Sequence, residues 1–506
     1  MFVYDNDARR RKQLHKQESC LSEKGATMPA NRTKIVCTMG PATEDDEVLA
    51  QMIRAGMNVA RLNFSHGDHE YHRRNIERFR RVSAEVGVTT AILVDTRGPE
   101  IRTGLNRNHK PITLNTDSHV TLTTRPVEGT AECIHISYDG LPAAVEQGTC
   151  IFVDDGLIAL EVERVDGTEI ECRVTNGGTV GERKGINVPN IVTQMPSVTE
   201  QDRDDIRFAC EMGVDAVAAS FICDADAVHE VRSICLEAGA PNIYIISKVE
   251  SALAVRNFDE ILAASDGIMV ARGDLGVEVP PAEVPYLQKR IIERCNQAYK
   301  PVITATQMLE SMVHNPRPTR AEVTDVANAI FDGTDCVMLS GETAAGHFPA
   351  EAVRMMAEVC RQAEQHLPER YVYHEQKGLE NVSGATGFAA VEIARRVGAV
   401  AILCPTKSGR TARIMSVFRP KFPIIATTPN DYTMRRANFY WGVDGVLTSE
   451  QDGLAPTCYD ALRKARQAKL VRPDDLVVIT AGDPISSPLT QGTEANTNVC
   501  MVAQVF

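Results

Sequence analysis

Tyr244-Ile-Ile-Ser-Lys248 and Gly267-Ile-Met-Val-Ala271 are short apolar runs, continued by Val-Glu250 and by Arg-Gly-Asp274. Six more runs of this kind occur: Lys34 to Thr38, Val59 to Phe64, Ala91 to Asp95, Ala216 to Phe221, Pro301 to Ala305 and Cys336 to Leu339. Runs of this length, rich in Val, Ile and Ala, read as strands buried on both faces. All but the third are followed by a segment of helical period, such as Glu44 to Ala55, Ala225 to Ala238 or Val284 to Ala298. Eight such units between Lys34 and about Gly341 predict parallel strands closed into a (β/α)8 TIM barrel.

The alternation breaks after the third strand. Residues 98–196 read as short strands with turn signals, among them His119 to Thr123, Cys150 to Val153, Ala159 to Val165 and Ile170 to Val174. An insert in this βα loop lies over the C-terminal face of a barrel, where active sites are built, and would act as a lid. The barrel then comprises residues 32–97 and 197–366. Residues 367–506 restart as an open-sheet α/β domain, with a helix near Gly384 to Val397 and strands at Ala401 to Cys404, Pro423 to Thr427, Gly445 to Leu447, Leu476 to Thr480 and Cys500 to Val505. Residues 1–31, with the basic cluster Arg9, Arg10, Arg11, Lys12 and Lys16 and little apolar periodicity, are expected to be a disordered tail.

Composition narrows the function. A net charge of −13 opposes general binding to nucleic acid or to a membrane surface, so local cations must receive any anionic substrate. No apolar run reaches the length of a membrane span, and no signal-peptide core follows the N-terminus. The fourteen cysteines stand singly, several inside apolar runs (Cys37, Cys336, Cys404), as suits reduced thiols in a cytoplasmic protein.

The expected strand ends carry the chemistry. They read Arg61-Leu-Asn-Phe-Ser-His66, Asp95-Thr-Arg-Gly-Pro-Glu100, Ser220-Phe221, Lys248-Val-Glu250, Arg272-Gly-Asp274, Thr306-Gln307 and Ser340-Gly-Glu342. Strand alternation sends Lys248 and Glu250 one way, and likewise Arg61, Asn63 and Ser65. Glu250 and Asp274, hard oxygen donors on neighbouring strands, suit a shared Mg²⁺. Gly273 admits a ligand close to the backbone, whose free N–H groups would take a carboxylate or phosphate. Lys248 reads either as a cation at the rim of a dry barrel, which would neutralise a phosphoryl group in transfer, or as a lysine snorkelling to solvent. His69-Glu-Tyr-His72 lacks metal-binding spacing and reads as a polar helix face.

From about Thr33 onward the chain resembles the pyruvate kinase family. The resemblance rests on Lys34-Ile-Val-Cys-Thr-Met-Gly-Pro41, Asn58-Val-Ala-Arg-Leu-Asn-Phe-Ser-His-Gly67, Asp95-Thr-Arg-Gly-Pro-Glu-Ile-Arg-Thr-Gly104, Val153-Asp-Asp-Gly-Leu157, Gly267 to Gly276, Ile303-Thr-Ala-Thr-Gln-Met-Leu-Glu-Ser311 and Pro316-Arg-Pro-Thr-Arg-Ala-Glu322. It implies transfer of the phosphoryl group of phosphoenolpyruvate to ADP, giving pyruvate and ATP, by a homotetramer of chains with a barrel, a β-barrel lid and a regulatory domain. Arg61 and Lys248 would hold the phosphoryl group, and Glu250 and Asp274 would bind Mg²⁺ or Mn²⁺. The substrate carboxylate would rest on Gly273, Asp274 and Thr306, with Thr306 and Ser340 in the protonation of the enolate. Asn63, Ser65, Asp95 and Thr96 would bind K⁺. Pro41, Asn63, His66, Arg102 and Lys184 would surround the nucleotide. Thr406, Lys407, Ser408, Gly409, Arg410 and Thr411 resemble the family's loop for a sugar-phosphate or AMP effector; without the resemblance, the same loop reads equally as a phosphate site at a helix N-terminus or as a plain βα turn with an N-capping serine. The chain departs from many relatives at Gly482 to Thr493, so the resemblance does not fix the effector.

Two rivals share parts of this constellation. An Mg²⁺-dependent aldol lyase would use Glu250 and Asp274 but needs neither Lys248 nor a nucleotide. A catalytically silent relative would not be expected to keep Arg61, Lys248, Glu250, Asp274 and Thr306 together. Relatives that dispense with potassium tend to carry Lys where this chain has Glu100. Turnover is therefore expected to require K⁺, and equal rates in sodium buffer would contradict that expectation.

Overall fold

The computed structural model describes residues 31–189, 191, 195–367, 382–482 and 497–506. The basic N-terminal cluster and residues 483–493 of the divergent stretch lie outside the described residues. The eight expected strands form one closed parallel barrel: β1 (Lys34–Thr38), β2 (Met57–Asn63), β3 (Ala91–Asp95), β4 (Ala216–Ala219), β5 (Tyr244–Val249), β6 (Gly267–Ala271), β7 (Val302–Ala305) and β8 (Cys336–Leu339).

Closure sorts each strand's side chains by parity. Val36, Val59, Leu93, Ala218, Ile246, Met269, Ile303 and Met338 pack together inside the barrel. Their neighbours Ile35, Ala60, Val94, Val217, Ile245, Ile268, Val302 and Val337 face the surrounding helices. Continued to the strand ends, the inner parity falls on Arg61, Asp95, Ser220, Lys248, Glu250, Gly273 and Ser340. The period-2 rule of a strand, and not loop placement, thus aims Arg61, Asp95, Ser220 and Lys248 at one mouth.

The opposite end is sealed by the C-terminal unit. Its sheet runs β11-β10-β9-β12-β13, from β9 (Ala401–Pro405), β10 (Ile424–Thr428), β11 (Val443–Leu447), β12 (Leu476–Gly482) and an antiparallel β13 (Thr497–Gln504). Phe439 and Tyr440, both buried, continue the inner barrel cluster. The Tyr440 hydroxyl hydrogen-bonds that of Tyr244, and the Cys336 thiol meets the Phe439 carbonyl at 3.4 Å. Around this plug Lys34 Nζ donates to the Val443 carbonyl at 2.7 Å, and Arg435 pairs with Asp215 at 2.7 Å.

The insert leaves after β3 and returns before the Glu200–Glu211 helix. Seven of its strands form one sheet whose edges, Ile101–Arg102 and Cys133–His135, are drawn together by a bridge between Thr103 and Ile136, so the sheet curls into a barrel of its own. Asp202 fastens both connections: it accepts the Gly98 N–H at 3.0 Å on the way out and the Thr199 N–H at 3.0 Å on the way back.

Arg419 of the C-terminal unit is buried against the barrel, bonded to Asp335 at 2.8 Å and the Gly333 carbonyl at 2.6 Å, and lies over the Trp441 ring. Removing one partner of a buried pair strands the other charge. Arg419→Met is expected to cost about 3–5 kcal/mol, read as a lower urea midpoint.

Candidate active site

Four charged side chains meet at the mouth. Asp95, 1 % exposed, lies between two cations: Oδ2 accepts from Arg61 Nε at 2.7 Å and Oδ1 faces Lys248 Nζ at 3.1 Å. Lys248 also pairs with Glu250 Oε1 at 2.7 Å and donates to the Ser220 hydroxyl at 2.8 Å, which donates to the Thr96 carbonyl at 2.7 Å. Arg61 is steadied by Thr38 Oγ1 at 3.0 Å. Glu250 Oε2 takes the N–H of Phe221, which has a left-handed φ of 53°.

Burial alone would raise the Asp95 pKa, but Arg61 and Lys248 outweigh it and hold the carboxyl below its ordinary value. Burial would lower that of Lys248, yet Asp95 and Glu250 raise it, so the ammonium stays charged. Glu250 is pushed up to about 7, by burial first and by the nearby Asp274, with Lys248 opposing. Asp274 is raised by burial and by Asp155, Asp95 and Glu100, with Lys248 opposing. Both carboxyls are thus raised by burial and by neighbouring acids, as acidic groups awaiting a cation are.

On the facing side Gly273 and Asp274 open the Arg272–Glu278 helix after β6. The Gly273 N–H, expected to be free, donates to Thr306 Oγ1 at 2.8 Å. A Cβ on Gly273 would lie 3.3 Å from that oxygen, so glycine here serves the approach of the two loops. Ser340 Oγ is buried without a hydrogen-bond partner among the described residues, while its N–H donates to Glu342 at 2.7 Å. Glu342 is fully buried and also accepts the Leu309 N–H at 3.0 Å, so it braces loops and does not face the mouth.

Other candidates sit at the margin. The Asn63 side chain accepts the N–H of Ser65 at 3.1 Å, and Ser65 lies in the turn beyond β2, outside strand alternation. Pro41 and His66 are exposed beside β1 and β2. Arg102 bonds Glu100 at 2.6 Å, and Lys184 pairs with Asp154 at 3.0 Å, both within the insert. The insert reaches the barrel where Asn187 meets Glu278 at 3.4 Å. The 406–411 loop belongs to the C-terminal unit, away from the mouth. Lys407 pairs with Glu450 at 2.7 Å, and the Thr411 hydroxyl lies 2.8 Å from that of Thr497. Gly409, with a left-handed φ of 87°, occupies the helix N-cap, so the serine-cap reading of this turn fails.

A family model described as pyruvate kinase, barrel domain, matches residues 30–353, and one described as pyruvate kinase, alpha/beta domain, matches residues 384–503. The pyruvate kinase of Geobacillus stearothermophilus is 47% identical over 478 residues, covering 93% of this chain and 80% of that protein. That of Clostridium acetobutylicum is 45% identical over 456 residues, covering 90% and 96%. The chain belongs to the pyruvate kinase family.

Members of the pyruvate kinase family are phosphotransferases, and this chain is accordingly an enzyme. Two further expectations from the residues need correction. His72 is not part of a polar face: it is buried, stacks on Phe64 with centroids 4.1 Å apart, and bonds the His66 carbonyl through Nε2 at 2.8 Å. The Gly273 N–H is taken, as described. Ser220 and Arg272 were legible as strand-end residues but gained no role, although the inner parity of β4 already singles out Ser220 as a neighbour of Lys248.

Asp95 neutralises two buried cations at once, so its charge matters more to stability than its shape. Asp95→Asn is expected to lower stability by about 3–5 kcal/mol, measured by denaturant unfolding.

Proposed function

We propose that the barrel mouth transfers the phosphoryl group of phosphoenolpyruvate to ADP, giving pyruvate and ATP, with Lys248 as the central cation. The observation that carries this reading is the Lys248 ammonium, buried and kept charged between Asp95 and Glu250. Phosphoryl transfer needs positioning and neutralisation of charge more than covalent chemistry. Arg61 binds the phosphoryl oxygens, and Lys248 follows the group from donor to acceptor. The Gly273 and Asp274 backbone and Thr306 receive the substrate carboxylate, the Thr306 hydroxyl turning from the Gly273 N–H to the ligand. Thr306 and the unpartnered Ser340 hydroxyl relay the proton that converts enolate to pyruvate.

A divalent cation fits the donor set. Glu250 and Asp274 are hard oxygen ligands whose raised pKa values reflect burial and neighbouring acids. Mg²⁺ or Mn²⁺ held by these two carboxylates would keep positions for water and substrate oxygens. Such an ion supplies charge stabilisation to the transferring group. Asn63, Ser65, Asp95 and Thr96 offer amide, hydroxyl and carboxylate oxygens at the adjoining ends of β2 and β3, chemistry suited to K⁺.

Pro41, Asn63, His66, Arg102 and Lys184 border the gap between barrel and insert and take the nucleotide, with the insert (98–196) closing as a lid over the barrel (32–97 and 197–366). In the 367–506 domain the 406–411 loop ahead of the Arg410–Val417 helix takes a phosphorylated effector, a sugar phosphate or AMP. The working enzyme is a cytoplasmic homotetramer; among the described residues no helix is long and apolar enough to cross a membrane.

The test is pyruvate formation from phosphoenolpyruvate, ADP and Mg²⁺ in potassium buffer, where a folded protein without turnover would refute the reading. Lys248→Met is expected to lower kcat by on the order of 10³-fold in a chain that still folds, checked by circular dichroism. A loss below about tenfold would be far under the effect of removing other phosphoryl-stabilising cations and would remove Lys248 from the mechanism.

A further inference from the structure

The Thr306 hydroxyl can act on a substrate only if its backbone is held, and that backbone is strained. Thr306 and Gln307, which follow β7, have φ values of 68° and 54°. A β-branched residue in the left-handed region is disfavoured by its Cβ, and consecutive cases persist only where the surroundings impose them. Arg272 Nη2 donates to the Thr306 carbonyl at 2.7 Å and lies 2.8 Å from the Met308 sulfur. The Gly273 N–H engages the Thr306 hydroxyl from the adjacent residue. Side chain and backbone of one dipeptide therefore grip both polar ends of the strained threonine.

Arg272 is itself anchored from behind. Nη1 pairs with Asp325 at 2.7 Å and donates to Gln288 at 3.2 Å, residues of the Arg320–Asp332 and Val284–Gln297 helices. A cavity of about 670 Å³ between those helices is lined by all three side chains. The Asp325 carboxylate balances the guanidinium, whose contacts do not include Asp95 or Glu250. One planar fork serving acceptors on three elements is within reach of arginine; the single ammonium of lysine cannot reproduce it.

We propose that Arg272 is a positioning residue for the proton-transfer half of the reaction, holding Thr306 in the conformation that presents its hydroxyl to the enolate. This rests on the role assigned to Thr306 above. Protonation of the enolate, run in reverse, removes a proton from C3 of pyruvate, so exchange at C3 follows the step without phosphoryl transfer to ADP.

The experiment compares two rates in the intact protein: ATP formation from phosphoenolpyruvate and ADP, and deuterium incorporation into pyruvate in deuterium oxide with ATP and Mg²⁺. Arg272→Lys is expected to slow exchange by about 10²-fold and ATP formation by less than about tenfold, the cost of a misplaced rather than a missing group. In a Thr306→Ala background the same change should add no further loss, because the two residues act as one unit. Equal loss of both rates, or penalties that multiply in the double variant, would overturn the proposal. If Arg272→Lys does not fold, Asp325→Asn, which loosens the anchor, carries the same readouts and criteria. Undiminished exchange in Thr306→Ala alone would overturn both the role of Thr306 and that of Arg272. Impaired exchange there with an unselective Arg272→Lys would overturn only Arg272. Absence of ATP formation by the parent would overturn the functional reading itself and this inference with it.

Discussion

A carboxylate held between two cations inside a barrel is the constraint on which the rest of the molecule turns. An opposed pair at about 4 Å gains about 4 kcal/mol at an effective dielectric near 20. Desolvation costs several kcal/mol per ion, so one isolated pair roughly breaks even. Asp95 serves Arg61 and Lys248 together, and Glu250 adds a second contact to Lys248, which tips the balance toward retained charge. Arg61 comes from β2, Asp95 from β3, and Lys248 and Glu250 from the end of β5. Their distances are met only when the barrel is closed in register, so forming the fold and charging the site are one event.

The barrel handles its two ends by opposite means. At the mouth, inward positions pass from Val59, Leu93 and Ile246 to Arg61, Asp95 and Lys248. At the base they pass to Tyr244 and Cys336, which meet Tyr440 and Phe439 of the C-terminal sheet. The hydrophobic interior is continuous from the barrel into that sheet. The 406–411 loop reaches the same base through short steps. Thr433 and Asn430 both donate to the Lys407 carbonyl, and the segment they begin carries Arg435, Arg436 and Tyr440 against Asp215 and Tyr244.

The strands were readable because a strand buried on both faces leaves an uninterrupted apolar run, and four of the eight match their runs at both bounds: Lys34–Thr38, Ala91–Asp95, Gly267–Ala271 and Cys336–Leu339. Parity within those runs then placed Lys248 and Glu250. Contacts that depend on unusual backbone were not readable. Nothing in Thr306-Gln307 announces positive φ, so the capture of the Gly273 N–H and the Arg272 contact stayed hidden. His72 looked polar because burial of an imidazole depends on Phe64 and the His66 carbonyl, which the helix period does not encode. Gly409 took the cap position that a neighbouring serine had suggested, since a left-handed turn before the helix favours glycine.

The clasp at the root of the insert bears on how the chain reaches this structure. β3 and β4 are partners, with Leu93 beside Ala216, yet the whole insert separates them in sequence. Closing a flexible loop of about a hundred residues costs about 4 kcal/mol in chain entropy, owed before any barrel contact rewards it. The insert's own hairpin, Ile158–Asp166 against Glu169–Asn176, is local, and pairing of Arg102 with Gly185 brings its two ends side by side. Once that small barrel has formed, only residues 96–100 and 188–215 remain to be closed, the second stretch holding the Glu200–Glu211 helix, and Asp202 ties both. The interruption in the middle of the large barrel thus behaves kinetically as a much shorter connection, which is how a fold of neighbouring strands tolerates so long a detour.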